Sequence, residues 1–171
     1  MESITIIVII LMILILAMQI VFLITTGQLV RERCRHSLTL LEASITQDVY
    51  DGLQDKDFSY YKAQIVTDNG AGQELMPKYE DEFIEILHKN LKYNEESNKY
   101  VGEYYQIDAD SLDISVETVN DDTIKLKVTF DVEYEAYMPF LDRHAIYTSR
   151  GTTVTSNYSF NDIYNLSLIH I

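Results

Sequence analysis

A chain of 171 residues is long enough for one ordinary domain, or for a small domain with an anchor. Residues 37–171 hold 10 of the 13 Lys/Arg and 25 of the 27 Asp/Glu, which gives this part a formal charge of −15. Because such a surface is repelled by phosphate backbones and by anionic head groups, we do not expect a nucleic-acid partner. The single cysteine, Cys34, cannot form an internal disulfide or a thiolate metal site.

The first element is an apolar run from Ile4 to Ile24, in which only Thr5 and Gln19 are polar. As a helix it spans roughly 30 Å, the thickness of the hydrocarbon core of a bilayer. The run is longer than the apolar part of a signal peptide, and no basic segment precedes it. We therefore predict a retained transmembrane anchor over residues 1–26. A cleaved signal peptide and a buried soluble helix are the alternatives.

Helical periodicity continues beyond the anchor. Gly27 is the only helix breaker before Asp51, and one glycine costs only about 1 kcal/mol in a helix. We predict one continuous helix from about residue 3 to about residue 54, with residues 27–54 as its amphipathic part. Apolar residues at spacings of three and four form one face of this helix, which must be buried against another part of the protein: Leu38, Leu41, Ile45, Val49 and Leu53.

Two kinds of residue on this helix are candidates for packing or assembly. The apolar stripe just named is one. Gln19 is the other, because a polar side chain inside an anchor can hydrogen-bond to a second helix; tolerated exposure to lipid is the alternative. Cys34, at the membrane edge, is a candidate for acylation or for pairing with a second subunit, although we favour a reduced thiol.

Residues 55–165 predict a soluble α+β domain. Residues 55–78 are interpreted as a loop with one short strand or turn near Tyr60–Val66, followed by a helix over Tyr79–Glu95 with three acids in its first turn. Residues 111–160 predict an antiparallel meander. Its middle strand, "TIKLKVTFDVEYEAY", alternates apolar and polar residues, which indicates one buried and one solvated face.

The last six residues, "LSLIHI" (Leu166–Ile171), do not continue the pattern before them. The codons CTG TCT CTT ATA CAC ATC encode this string and resemble the transposon mosaic-end adapter of sequencing libraries. We interpret residues 166–171 as an adapter-derived artefact, read through from a fragmented metagenomic contig. A genuine short C-terminal strand is the alternative.

No pattern typical of catalysis is present. The sequence lacks G-x-S-x-G, H-E-x-x-H, P-loop and dinucleotide-binding motifs. His36, His88 and His144 are interpreted as ordinary surface or satisfied residues. "DADSLD" (108–113) resembles the start of a calcium loop but lacks its glycine and terminal glutamate, so we interpret it as an acidic turn. We predict no catalytic, cofactor-binding or metal-binding residue.

The order of parts, a membrane helix, its amphipathic continuation and an antiparallel sheet, is similar to that of type IV pilin-like subunits. The stretch "IKLKVTFDVEYEAYMPFLDRHAIYTSRGTTVTS" has a long alternating strand, a break at Pro139 and Phe140, and a Thr/Ser-rich strand. It most resembles the TadE-like proteins of bacterial tight-adherence (Tad) pilus systems. The resemblance implies a non-enzymatic minor pilin or assembly subunit at the cell surface, whose N-terminal helix packs against other pilus subunits.

Two features depart from the pilin pattern. Thr5 stands where processed pilins carry a glutamate, and no glycine precedes the apolar run. Either the start is truncated or miscalled, or processing does not occur, and we name no processing site. Arg31, Arg33 and Arg35 follow the anchor, and the positive-inside rule then favours a cytoplasmic domain. The resemblance favours an exported domain, which we retain as the prediction. The alternative is a single-pass membrane-anchored binding or sensor domain, for which a cytoplasmic position is one option.

Overall fold

The computed structural model describes residues 2–52, 58–68, 73–120, 122–138 and 143–160. Its helices are α1 (Glu2–Gly52), α2 (Phe58–Ile65) and α3 (Pro77–Leu91), with a 3₁₀ turn at Ala109–Ser111. Its strands are β1 (Val66–Asp68), β2 (Gln73–Leu75), β3 (Tyr93–Asn94), β4 (Lys99–Val101), β5 (Tyr105–Asp108), β6 (Asp113–Asn120), β7 (Thr123–Met138) and β8 (Arg143–Ser159). The fold is α+β, with the long N-terminal helix packed against one antiparallel sheet.

The first helix, α1, is uninterrupted over 51 residues, which confirms that one helix continues from the apolar run into the amphipathic part. At about 1.5 Å per residue, its length is on the order of 75 Å. Gly27 does not break it. The predicted end near residue 54 lies outside the described residues, as do Leu53, Pro139, Phe140 and residues 166–171.

The sheet is built around β7. One edge of β7 pairs along its length with β8, and the other edge pairs with β6 over its first half and with β5 over its second half. Beyond β6 come β2 and then β1; beyond β5 come β4 and then β3. All of these pairings are antiparallel. The consecutive pairing of β6, β7 and β8 is the meander expected from the sequence, and a second arm (β5, β4 and β3) adds to it.

A bulge interrupts the ladder between β7 and β8 near its middle. Two residues of β8, Arg150 and Gly151, lie opposite Asp131 alone. Gly151 adopts a φ of 63°, and its N–H donates to Oδ1 of Asp131 at 2.7 Å. The carboxylate therefore holds the extra residue in place on the outer face of the sheet.

The core lies between the sheet on one side and α1 and α3 on the other. Alternation along β7 holds at every predicted inward position, each 9% exposed or less: Ile124, Leu126, Val128, Phe130, Val132, Tyr134 and Ala136. The amphipathic part of α1 covers this face, as the sequence predicted. α3 lies beside α1 and contributes its own buried stripe: Tyr79, Phe83, Leu87 and Leu91.

The interpretation of residues 55–78 as a loop with a short strand or turn near Tyr60–Val66 is wrong. Phe58–Ile65 forms α2, and the strand β1 begins only at Val66. Aromatic residues in "FSYYKAQI" favoured a strand. The good helix formers Lys, Ala and Gln follow them, and Ile65, 1% exposed, fixes the end of the helix in the core.

The bounds of α3 also differ from the prediction of Tyr79–Glu95. The helix begins at Pro77, where a missing N–H costs nothing, and ends at Leu91. Lys92 then adopts a left-handed φ of 57° and donates its N–H to the His88 carbonyl, which terminates the helix. Since only Glu80 lies in the first turn, the prediction of three acids there is wrong.

Candidate assembly surface at the membrane edge

Residues 4–21 of α1 project from the domain as largely bare helix. Among the described residues, α1 is the one helix long and apolar enough to cross a membrane, and its apolar window is 0% buried. Ile4, Ile13 and Met18 are 68%, 62% and 65% exposed. Water does not tolerate a contiguous apolar surface of this size, so lipid or other apolar helices must cover it.

The soluble domain begins to cover α1 before the apolar run ends. The ring of Phe22 meets that of Tyr104 edge-on, with centroids 5.0 Å apart. Four residues later, Thr26 is 7% exposed. Gly27 allows close approach of the sheet, because a Cβ at this position would lie 3.3 Å from the Tyr134 hydroxyl oxygen. The domain therefore packs directly against the end of the apolar run, with no linker between it and the candidate membrane span.

The sequence did not single out Phe22, Tyr104 and Tyr134 as contacts of this edge. Alternation along β7 places Tyr134 on the inward face, but it does not show which turn of α1 the side chain meets. Tyr104 lies between two strands that were too short to predict. These contacts depend on pairing across the chain, which local periodicity does not encode.

The three arginines after the anchor have different surroundings. Arg33 Nη1 donates to the Tyr105 hydroxyl at 3.2 Å, across the interface of α1 and the sheet. Arg35 pairs with Glu32 at 3.7 Å on the exposed side of α1. Arg31 is exposed and lines an open cavity beside Tyr134.

Polar contacts hold α3 on the second half of α1. Asn90 Nδ2 donates to the buried Ser37 hydroxyl at 2.9 Å, and that hydroxyl donates to the Arg33 carbonyl at 3.0 Å. Near the far end of α1, the Asp48 carboxylate pairs with Lys78 and accepts from the Tyr79 hydroxyl at 2.9 Å. These contacts and the apolar core make the second half of α1 part of the domain.

The predicted packing residues divide between two environments. Leu38, Leu41, Ile45 and Val49 are 2% exposed or less and pack inside the chain's own core. Gln19 lies in the bare half of α1 and is partly exposed. The helix surface around Gln19 is therefore accessible, whereas that of the four core residues is not.

Cys34 is completely buried in the interface between α1 and the rest of the core. An acyl group or a second subunit's thiol cannot reach it in the folded chain. The candidate roles in acylation and in pairing between subunits are therefore wrong, and a reduced core thiol remains.

His88 and the acidic turn at residues 108–113 make structural contacts. His88 stacks on Tyr93, with centroids 4.0 Å apart and rings nearly parallel. Asp108 Oδ1 accepts the N–H of Asp110 at 3.1 Å, which caps the 3₁₀ turn that follows β5. In the described ranges, no group of three or more His, Cys, Asp or Glu side chains is arranged to hold a metal ion.

Comparisons with known proteins identified no relative of this chain. A scan against protein-family models, a search of curated proteins and a search of solved structures each found no match to this chain.

Proposed function

We propose that the chain is a non-enzymatic, membrane-anchored pilin-like subunit of TadE-like type, acting as a minor pilin or as a pilus-assembly subunit. The division of α1 supports this most. Its first half is bare apolar helix, whereas its second half forms part of the domain core. Such a helix can leave the bilayer and enter a bundle of similar helices without disturbing the domain, because the core residues stay covered.

In this proposal, Gln19 stabilises contacts between neighbouring anchors. Hydrogen bonds between membrane helices contribute about 0.6–1.7 kcal/mol, so Gln19→Leu should weaken self-association about threefold or more. Association can be measured by energy transfer between labelled full-length chains in lipid vesicles. Met18→Leu is the matched control, since Met18 is 65% exposed in the same turn and carries no such polar group. Equal association of all three chains would exclude the role of Gln19.

Export of the sheet domain is tested by thiol labelling in intact cells. Ser97 is exposed in the turn between β3 and β4, so a Ser97→Cys variant should react with a membrane-impermeant reagent before lysis. Wild type is the control, because its only thiol, Cys34, is buried and should react after denaturation only. Ser111, on the 3₁₀ turn, is less suitable because its hydroxyl accepts the Asp131 N–H at 3.0 Å.

Labelling of Ser97→Cys that appears only after lysis would contradict the exported pilin-like subunit. It would support a single-pass membrane-anchored binding or sensor domain in the cytoplasm. Arg31, Arg33 and Arg35 directly after the span favour this second candidate. A secretion ATPase and a multi-span platform protein encoded beside this chain would favour the first.

A further inference from the structure

An open cavity lies where α1 leaves the bilayer, and we call it the membrane-edge notch. Its volume is about 300 Å³, equal to the liquid volume of about ten water molecules. It is formed by two turns of α1 and one side chain of β7: Leu23, Ile24, Gly27, Gln28, Arg31 and Tyr134. Gly27 keeps the notch open, since any side chain there would extend toward the Tyr134 hydroxyl.

The lining of the notch changes from apolar to polar along the helix axis. Leu23 and Ile24 end the apolar run, whereas Gln28 and Arg31, one and two turns further on, supply hydrogen-bond donors and a positive charge. An occupant that suits both ends has an anionic head and an apolar tail.

The absence of acids from this lining is informative in a chain whose net charge is −14. Two cavities on the described part of the sheet have acidic linings. One is lined by Glu103, Glu133 and Glu135 and by no Lys or Arg. The second is lined by three carboxylates but also by Lys99 and Arg150, so its formal excess is one negative charge. The first therefore repels anions and the second is close to balanced, whereas the notch carries one arginine and no carboxylate.

The depth of the notch matches the head-group layer. Arg31 lies seven residues beyond Ile24, which is about 10 Å along the helix. Side chains on a helix lean toward its N-terminus, which here is the membrane side. Because the head-group region of each leaflet is roughly 5–8 Å thick, a long arginine side chain reaches the phosphates from this position.

We propose that the membrane-edge notch binds the phosphate of one anionic phospholipid. Arg31 pairs with the phosphate, Gln28 donates a hydrogen bond to the head group, and the acyl chains run along Leu23 and Ile24 into the bilayer. This contact holds an acidic domain against a surface that otherwise repels it. The proposal requires membrane anchoring but not the pilin-like role, and it applies on either side of the membrane.

The test uses the full-length chain in detergent, offered phosphatidylglycerol and phosphatidylcholine in equal amounts, with bound lipid counted by native mass spectrometry. Wild type should retain one phosphatidylglycerol in preference to phosphatidylcholine. Arg31→Gln should weaken phosphatidylglycerol binding about tenfold, because it removes a charge-assisted contact. Arg35→Gln is the matched control, since it removes the same charge from an exposed side chain outside the notch and should change binding less than twofold.

A second variant, Gly27→Leu, fills the notch without changing charge and should also reduce binding. Circular dichroism confirms that each variant is folded. Equal losses in Arg31→Gln and Arg35→Gln, or equal retention of the two lipids by wild type, would overturn the proposal. Inorganic phosphate that binds wild type as tightly as phosphatidylglycerol would identify a soluble anion as the occupant, and would also overturn it.

Discussion

Lys92 holds a left-handed backbone at the end of α3, with a φ of 57°. This conformation costs an L-residue with a Cβ roughly 1–2 kcal/mol, whereas glycine adopts it freely. The Lys92 N–H makes the last i→i−4 bond of the helix, to the His88 carbonyl, and the left-handed φ of Lys92 then turns the chain out of the helix toward β3. The strain is therefore a cost of ending the helix where β3 must begin.

Lys92→Gly should raise the free energy of unfolding by about 0.5–1 kcal/mol, because it relieves this strain. Chemical denaturation monitored by circular dichroism measures the change. Lys89→Gly, in the last turn of the same helix, is the control and should lower the free energy by up to about 1 kcal/mol. Destabilisation by both substitutions to a similar extent would contradict the assignment of strain to Lys92.

Buried tyrosines predict a loss of stability in alkali. Burial raises the pKa of Tyr100 and of Tyr158 to about 12 and raises the pKa of Tyr79 above its usual range. Their ordinary pKa is about 10. The unfolded chain therefore ionises first, so their contribution is complete below pH 10 and decreases as the pH rises toward 12.

The free energy of unfolding should fall between pH 10 and pH 12, as measured by denaturant titration at several pH values. The part of the tyrosinate absorbance that comes from the buried tyrosines should rise in the same range and follow the unfolding. Tyr158→Phe should show a shallower decline, because one of the buried phenols is gone. A free energy that stays constant across this range would contradict burial of these hydroxyl groups.

Single elements differ in how far their own sequence specifies them. The period of two along β7 and the spacing of three and four along α1 identified both elements and their buried faces, because the pattern repeats over many residues. Strands β3, β4 and β5 have two to four residues each, too few for a period to emerge. The membrane-edge contacts depend on pairing between such elements, so they were visible only in the fold.

The bulge in β8 shows why one glycine is required within a strand. Gly151 adopts a φ of 63° and has open space around it, so a larger side chain is opposed by backbone strain and not by a clash. Gly151→Ala should lower the free energy of unfolding by about 1 kcal/mol, as measured by thermal or chemical denaturation. Gly151→Asn should cost less, because asparagine tolerates the left-handed region. Equal costs would indicate a steric cause.

The whole molecule consists of an anchor and a domain that share one helix but not one core. Apart from the half-buried Ile15, the large apolar side chains from Ile4 to Val21 are exposed, whereas contact with the sheet domain begins at Phe22. The formal charge of −15 on residues 37–171 opposes association of the domains. Cohesion between copies would therefore have to come from the anchors.

Removal of residues 1–20 should leave a folded and monomeric domain. The melting temperature of this fragment should lie within a few degrees of that of the full chain in detergent, because the removed side chains contribute little to the core. Light scattering at low salt should report a monomer. A further truncation that also removes Phe22 should lower the melting temperature, since it deletes the contact with Tyr104. An unfolded first fragment would show that the anchor supports the domain.

The absence of a linker between the apolar run and the domain also affects how a protease could release the domain from its anchor. Proteases cut extended, exposed segments. From Ile4 to Val49 the chain is continuous helix, and the domain packs on this helix from Phe22 onward. A protease at the bilayer surface therefore finds no extended linker to cleave in this part of the chain. Shedding by a cut at this edge would require the first helix to unwind and pull away from the sheet, so the rate of shedding would report the stability of the core.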